Sequence, residues 1–203
     1  MCIRDSYYLV PGVIVTIMTM IGALLTSLVM AREYERGTLE SLFVTPVGSG
    51  EILTAKAATN FLLGMVSLAI SMIFAAFVFD IPIRGSLTLL LAVSALFLIV
   101  ALGLGLVIST ATKNQFLACQ FAIMGTFMPA LMLSGFLYDI LNMPPAVRAL
   151  TYMIPARYYV TLLQTLFLAG DIPSVIIPCC ITLGVFAVVL MGIARLKAPK
   201  SLE

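Results

Sequence analysis

The sequence predicts an all-α membrane protein, a polytopic helix bundle with five spans, an amphipathic helix on one side and short helices on the other. Hydrophobic residues make up 62% of its 203 residues and charged residues only 10%, with a mean hydropathy of +1.17. A water-soluble chain carries roughly a quarter charged residues. Five stretches free of Asp, Glu, Lys and Arg are each at least 23 residues long, and about 20 apolar residues cross a bilayer.

These five stretches are apolar on all sides, which favours helices over the alternating pattern of a membrane β-barrel. The predicted spans are residues 6–31, 57–79, 85–112, 114–138 and 172–194. Pro129 and Pro178 fall inside spans four and five. Neighbouring membrane helices can satisfy the carbonyls that a proline frees, so we keep both spans and expect bends.

The distribution of Lys and Arg predicts a plasma-membrane protein with its N-terminus outside and its C-terminus in the cytoplasm. On this orientation the inner side carries Arg32, Arg36, Lys56, Lys113, Arg195, Lys197 and Lys200. The outer side carries Arg4, Arg84, Arg148 and Arg157. Tyrosines expected as anchors at the outer boundary are Tyr7, Tyr8, Tyr138, Tyr152, Tyr158 and Tyr159.

Small residues recur every four positions within the spans, a pattern that lets helix backbones approach closely. The stripes are Ala23, Ser27 and Ala31; Ser67, Ser71 and Ala75; Ala101, Gly105 and Ser109; and Ala118, Ala122, Thr126, Ala130 and Ser134. The stripe of five residues predicts that span four packs deep in the bundle.

Residues 139–171, between spans four and five, are apolar but interrupted by three prolines and two arginines. This pattern argues against another straight crossing. We expect two short helices, about 144–153 and 156–169, that lie in the outer interface or dip into it.

Composition excludes several classes of function. The net charge of +2 is too small and scattered for a nucleic-acid surface. The chain has no histidine, which removes Ser-His-Asp and Cys-His catalysis. Its four cysteines lack C-x-x-C spacing, so we expect packing residues and no metal site.

Charged side chains gather between the first two spans. Residues 31–56 carry Arg32, Glu33, Glu35, Arg36, Glu40, Glu51 and Lys56. Arg32 with Glu35, and Arg36 with Glu40, have the spacing at which side chains pair on a helix. The segment is therefore predicted to begin as a short charged helix.

The same segment has an apolar side formed by Leu39, Leu42 and Phe43, and Pro46 ends the helix. Such an amphipathic helix lies on the membrane, packs on the protein's own loops or docks into a partner's groove. Because two Arg face three Glu, docking is favoured over binding to anionic lipid.

Four ordered motifs resemble the permeases of ABC-2-type ATP-driven exporters of the multidrug or antibiotic kind. They are LVPG at 9–12 followed by ARE-x-ERGTLE-x-L-x-VTPV at 31–47, GLGLVIST at 103–110, LSGFLYDILNMP at 133–144, and IPARYYVTLLQTLFLAG at 154–170. The resemblance covers about residues 7–197.

The resemblance implies that the charged segment is a coupling helix that lodges in a cytoplasmic ATPase subunit. It places this role on Glu33, Glu35, Arg36, Gly37, Thr38, Leu39, Glu40, Thr45 and Pro46. We expect Arg36 and Glu40 to orient the helix, and Leu39, Leu42 and Phe43 to form its apolar contact. The chain has no G-x-x-x-x-G-K-[ST] motif, so ATP and Mg are expected on the partner subunit, and a second permease is expected beside this one.

The sequence also departs from that family, whose permeases begin with a further span and a large extracytoplasmic segment. We expect residues 1–6, MCIRDS, to be a non-native leader, and residues 7–203 to be the C-terminal portion of the transmembrane domain.

The uncharged spans suit hydrophobic or amphiphilic cargo, since ion pathways normally need charged groups inside the membrane. Gln120, Thr126 and Ser134 on span four are candidates to line the path, although a packing role fits each of them too. A secondary carrier or channel that works without ATP is the alternative function, and a membrane enzyme is the third. Against the carrier, the predicted spans of this chain lack the buried ionisable residue that carriers typically use as a relay.

Overall fold

The computed structural model describes residues 3–36, 49–79, 85–135 and 144–197. Its helices are α1 (Ile3–Thr19), α2 (Thr26–Glu35), α3 (Ser49–Phe79), α4 (Leu87–Thr112), α5 (Gln115–Ala122), α6 (Met128–Leu133), α7 (Pro145–Thr151), α8 (Pro155–Leu168) and α9 (Pro173–Lys197). No strand occurs in these described ranges, and the predicted all-α class is confirmed.

Two of the spanning helices contain a π-helical stretch. The first π segment, Met20–Leu25, joins α1 to α2, and the second, Ile123–Phe127, joins α5 to α6. The flanking residues keep right-handed helical backbone angles, so each span continues without a break. The two π segments contact each other inside the bundle.

In the described part of the chain, five helical stretches are long and apolar enough to cross a membrane, which confirms the predicted number of spans. They are Val10–Glu35, Thr54–Phe77, Leu87–Thr112, Gln115–Leu133 and Pro173–Leu196. The first helix runs four residues beyond its predicted end and includes Arg32 and Glu35. The rest of the predicted amphipathic helix, residues 37–48, lies outside the described residues.

Helix α4 is the centre of the bundle, because it contacts α1, α2, α3, α5, α8, α9 and the first π segment. In its most apolar window 56% of the residues are buried, compared with 17% in the last span. Helix α4 carries no charged residue between Leu87 and Thr112, so it can be surrounded by other helices without burying an unpaired charge.

The small-residue stripes meet where the helices approach most closely. Ala23, Ser27 and Ala31 are fully buried against α4 and α5. A Cβ added at Gly105 would lie 2.6 Å from the carbonyl oxygen of Ala23, and one at Gly22 would lie 2.5 Å from Cβ of Ala101. Larger residues there would push α4 away from the first span, as the stripe pattern predicts.

The stripe on span four is buried, but the span itself lies at the edge of the bundle. Its five members are nearly inaccessible: Ala118 0%, Ala122 0%, Thr126 7%, Ala130 4% and Ser134 1% exposed. On the opposite side Phe116 is 75% and Met124 65% exposed. The expectation that this span lies deep is therefore wrong, because the stripe buries only one side of the helix.

The two prolines predicted to bend their spans have different surroundings. Pro129 is the second residue of α6, which begins where the second π segment ends. Pro178 lies inside α9, which is assigned as one helix from Pro173 to Lys197.

The two short helices predicted before the last span are present as α7 and α8, and α8 dips into the bundle. Its apolar residues Leu162, Leu163 and Leu166 are fully buried, and it packs against α1, α4 and α9. At 14 residues it is about 21 Å long, too short to cross a membrane alone.

The sequence suggested that Tyr159 is an interfacial anchor. Instead it is buried and holds α8 against α4. Its ring stacks on Phe97 with centroids 4.1 Å apart, and its hydroxyl donates to Ser94 Oγ at 2.8 Å. Burial raises the pKa of the Tyr159 hydroxyl, so it stays a neutral donor. Tyr152, in contrast, is 51% exposed and stacks beneath Arg157, whose guanidinium lies 4.0 Å from the ring centroid.

Candidate functional site

One end of the bundle, which we call the charged end, collects the charged and amide side chains from the ends of several spans. Lys56 on α3 donates to Glu33 on α2 in an ion pair. The side chain of Glu33 is 16% exposed and that of Lys56 is 40% exposed. The pair ties the end of the first span to the start of the second, on either side of residues 37–48.

Gln115, at the start of α5, connects this end to span four. Its side-chain oxygen Oε1 accepts from Arg32 Nε at 3.3 Å, and its backbone N–H donates to Glu35 Oε2 at 3.1 Å. The predicted pairing of Arg32 with Glu35 is therefore wrong. Both side chains bind Gln115 instead, because α5 begins beside the last turn of α2.

A tight turn between α4 and α5 puts Gln115 in this position. Lys113 adopts a left-handed backbone conformation with φ of 50°, and Asn114 caps α5 by accepting from the backbone N–H groups of Phe116 and Leu117. Lys113 and Asn114 thus reverse the chain, and the charged end receives the first residue of the next span.

Below the charged side chains lies a layer of buried hydrogen bonds. Asn60 Nδ2 donates to Thr26 Oγ1 at 3.1 Å, and Ser27 Oγ donates to the carbonyl oxygen of Ala118 at 3.3 Å. Asn60 is 8% exposed, and Thr26 and Ser27 are fully buried. Buried polar groups need such partners, so this layer sets how α2, α3 and α5 meet.

Three of the predicted coupling residues are described: Glu33 and Glu35 lie on the last turn of the first span, and Arg36 directly follows that helix. Glu33 and Glu35 contact other helices, as given above, while the side chain of Arg36 is exposed just past the helix end. The other predicted residues lie outside the described part of the chain: Gly37, Thr38, Leu39, Glu40, Leu42, Phe43, Thr45 and Pro46.

The three candidate path residues do not share one surface. Gln120 is on the exposed side of span four, whereas Thr126 and Ser134 are buried on the other side. Thr126 lines a small cavity of about 110 Å³ together with Thr19 and Phe97. The hydroxyl of Ser134 has no hydrogen-bond partner among the described residues.

Sequence reasoning missed Gln115 at the charged end and Asn60 in the layer below it. It placed Lys56 in the charged segment but did not predict its pairing with Glu33. Asn60 carried a signal, since a lone amide within an apolar span usually has a partner. The Lys-Asn pair before span four also has the form of a helix start. Nothing in the sequence around Gln115 indicated that it would bind Arg32 and Glu35, which lie 83 and 80 positions earlier.

The described residues include no group of three His, Cys, Asp or Glu side chains that could hold a metal ion. Among the described residues the site consists of hydrogen bonds and one ion pair that join helix ends.

Comparison with known proteins places the chain in a family. The pattern of the ABC-2 type transporter family matches residues 3–168. The chain is 47% identical to the probable multidrug ABC transporter permease YbhS of Escherichia coli K12 over 199 residues, which is 98% of this chain and 53% of the relative.

Two further relatives come from the same bacterium. The probable multidrug ABC transporter permease YbhR is 32% identical over 166 residues, 80% of this chain and 44% of the relative. The inner membrane transport permease YhhJ is 28% identical over 190 residues, 93% of this chain and 50% of the relative. The chain thus spans about half the length of these relatives. The match to the family, over residues 3–168, extends through the first four of the five spans. It belongs to the ABC-2 type transporter family.

Proposed function

We propose that this chain is part of the transmembrane permease of an ATP-driven exporter that moves hydrophobic or amphiphilic compounds out of the cell. The observation that carries the proposal is the family match over residues 3–168, joined to a relative named as a multidrug permease at 47% identity. The chain carries no phosphate-binding G-x-x-x-x-G-K-[ST] motif. ATP and Mg therefore belong to a separate ATPase subunit, and this chain is not itself the enzyme.

The charged end is the side that faces the ATPase in this proposal. Residues 37–48 connect Arg36 to Ser49 in the sequence. The helices before and after them, α2 and α3, are joined by the ion pair of Glu33 and Lys56. Force applied to residues 37–48 would then move α2 and α3 together, because the ion pair joins the two helices. Rigid-body tilting of this kind is an established way to switch between two conformations.

In this proposal Glu33 and Glu35 attach the start of the coupling segment to the bundle. The Glu33 carboxylate pairs with Lys56, and the Glu35 carboxylate accepts from the N–H of Gln115. Direct contact with the ATPase falls to Arg36, Gly37, Thr38, Leu39, Glu40, Leu42, Phe43, Thr45 and Pro46. In this arrangement the charged end is cytoplasmic, with the N-terminus of the chain outside and its C-terminus inside.

The exposed side of span four supports a second permease at this surface. Gln120 is exposed there, and Met124, Met128 and Met132 follow at four-residue steps, 65%, 48% and 48% exposed. A glutamine amide that faces lipid gains a hydrogen bond when it meets a second helix. The path for cargo would run along this face past Gln120, with Thr126 and Ser134 behind it as packing residues.

The test is co-purification of the ATPase subunit with the full-length permease. The variant Arg36→Glu plus Leu39→Asp should insert normally but lose most of the bound ATPase, since it reverses one charge and buries another in the apolar contact. The matched control is Arg148→Glu plus Leu150→Asp, which makes the same changes on exposed residues of α7 at the other end and should leave ATPase binding intact. Undiminished co-purification of the first variant would overturn the assignment.

A further inference from the structure

A groove opens on the side of the bundle near the charged end, away from span four. It has a volume of about 340 Å³ and lies between α3, α4 and α9. On α3 its wall is formed by Ala57, Ala58 and Phe61, and on α4 its floor is formed by Leu102 and Leu106. The small side chains of Ala57 and Ala58 leave the space that bulkier residues would fill.

Arg195 on α9 also lines this groove and is the one charged side chain among its described lining residues. Its side chain is exposed, and the described part of the chain offers it no ion pair or hydrogen bond. The neighbouring Ala194 is 2% exposed and packs with Met30 and Leu106. The backbone beneath Arg195 is therefore held in place, while its guanidinium is available at the groove.

The dimensions of the groove suit a narrow occupant. The groove offers about 340 Å³, at the low end of small-ligand sites, which run from about 300 to 1,000 Å³. A single hydrocarbon chain fits this space.

The charge at the groove selects the head group. A guanidinium binds phosphate through two parallel hydrogen bonds and is weakly hydrated, which makes arginine suited to this contact. Basic side chains in pockets between membrane helices bind anionic lipid head groups. Among the side chains that the structure describes, no carboxylate lines the groove.

We propose that this groove binds one acyl chain of an anionic phospholipid, with the lipid phosphate held by Arg195. The lipid comes from the leaflet at the charged end. There it would pack α3 against α9 beside the ion pair of Lys56 and Glu33. The inference does not depend on the proposed transport, because lipid binding requires neither ATP nor cargo.

The test is native mass spectrometry of the full-length permease in detergent, titrated with phosphatidylglycerol and, in parallel, with phosphatidylcholine of the same acyl chains. The wild type should retain phosphatidylglycerol preferentially. Arg195→Gln should lower that preference roughly tenfold, the value of one charge-assisted contact, and Arg195→Lys should keep most of it. Arg148→Gln, which removes an exposed arginine at the opposite end, should leave it unchanged.

A second variant tests the groove itself. Ala58→Phe should reduce retention of both lipids, because the ring occupies the space of the acyl chain. The same substitution at Ala76, which is exposed on the same helix and does not line the groove, should retain lipid like the wild type. If Ala58→Phe fails to insert, Ala58→Leu should show the same loss to a smaller degree.

Three results would overturn the proposal. The first is an unchanged phosphatidylglycerol preference in Arg195→Gln, and the second is full lipid retention when the groove is filled. The third is a crosslink from a cysteine at Ala58 to another protein segment, which would show that protein covers the groove. If the wild-type permease binds no ATPase or transports nothing but retains lipid normally, that result would count against the proposed function alone.

Discussion

The two ends of the bundle are held together by different kinds of contact. At the end where α8 enters, the contacts are buried and apolar: Tyr159 stacks on Phe97, and leucines of α8 are fully enclosed. At the charged end the contacts are polar and partly open to solvent, such as the ion pair of Lys56 and Glu33. Buried packing is worth several kcal/mol, whereas exposed ion pairs are worth little. The difference makes the end where α8 enters the more stable of the two.

The largest expected effect is at the packed end. Tyr159→Ala should lower the free energy of unfolding by about 3 to 5 kcal/mol, since it removes a fully buried ring. Tyr159→Phe should cost only about 1 kcal/mol, because it removes one hydrogen bond and keeps the stacking. Unfolding by denaturing detergent in mixed micelles, followed by circular dichroism, measures both.

Tyr152→Ala is the control for this end, since its ring is 51% exposed and contacts the Arg157 guanidinium. It should cost about 1 kcal/mol or less. Equal losses for Tyr159→Ala and Tyr152→Ala would contradict the view that α8 is anchored by its buried side.

An intermediate effect is expected where the first span approaches α4, between the two ends. Gly105→Ala should destabilise the protein by about 1 to 3 kcal/mol, because its methyl group would lie 2.6 Å from the backbone oxygen of Ala23. Gly184→Ala on α9 is the matched control, since nothing lies within 4 Å of a Cβ there. It should be neutral or stabilising by up to about 1 kcal/mol. A neutral Gly105→Ala would show that α4 and the first span can separate without loss.

The smallest effect is expected at the charged end. A double-mutant cycle of Glu33→Gln and Lys56→Gln should give a coupling energy below about 1 kcal/mol, weakened further by salt. Glu35→Gln with Lys56→Gln is the control cycle, because Glu35 binds Gln115 instead, and it should give almost none. A coupling energy of several kcal/mol between Glu33 and Lys56 would mean that this end is as firmly closed as the other.

The number, type and position of the spans were predictable because lipid excludes charge, and the uncharged stretches are longer than a bilayer is thick. One of the close approaches was predictable for a similar reason. The stripes of Ala23 and of Gly105 each leave one side of a helix without bulk, and they face each other in the structure. Short-range patterns of this kind act within one helix and can be read along the chain.

The contacts that define the candidate site required the tertiary structure. Arg32 meets Gln115 across 83 positions of sequence, whereas the nearer candidate, Glu35, accepts from the backbone N–H of the same Gln115. The stripe on span four predicted burial but not how much of the helix it buries. The sequence predicted Tyr159 as an interfacial anchor, yet α8 buries its ring against Phe97.

By itself, then, the sequence determined which segments must lie in lipid and which faces must be close-packed, since both follow from side-chain polarity and size. Only the tertiary structure decided that α4 is central, that α8 enters the bundle and that Lys56 and Gln115 hold the end of the first span. Those outcomes depend on which helices become neighbours. That choice reflects the summed packing of all the spans and is not encoded in any one of them.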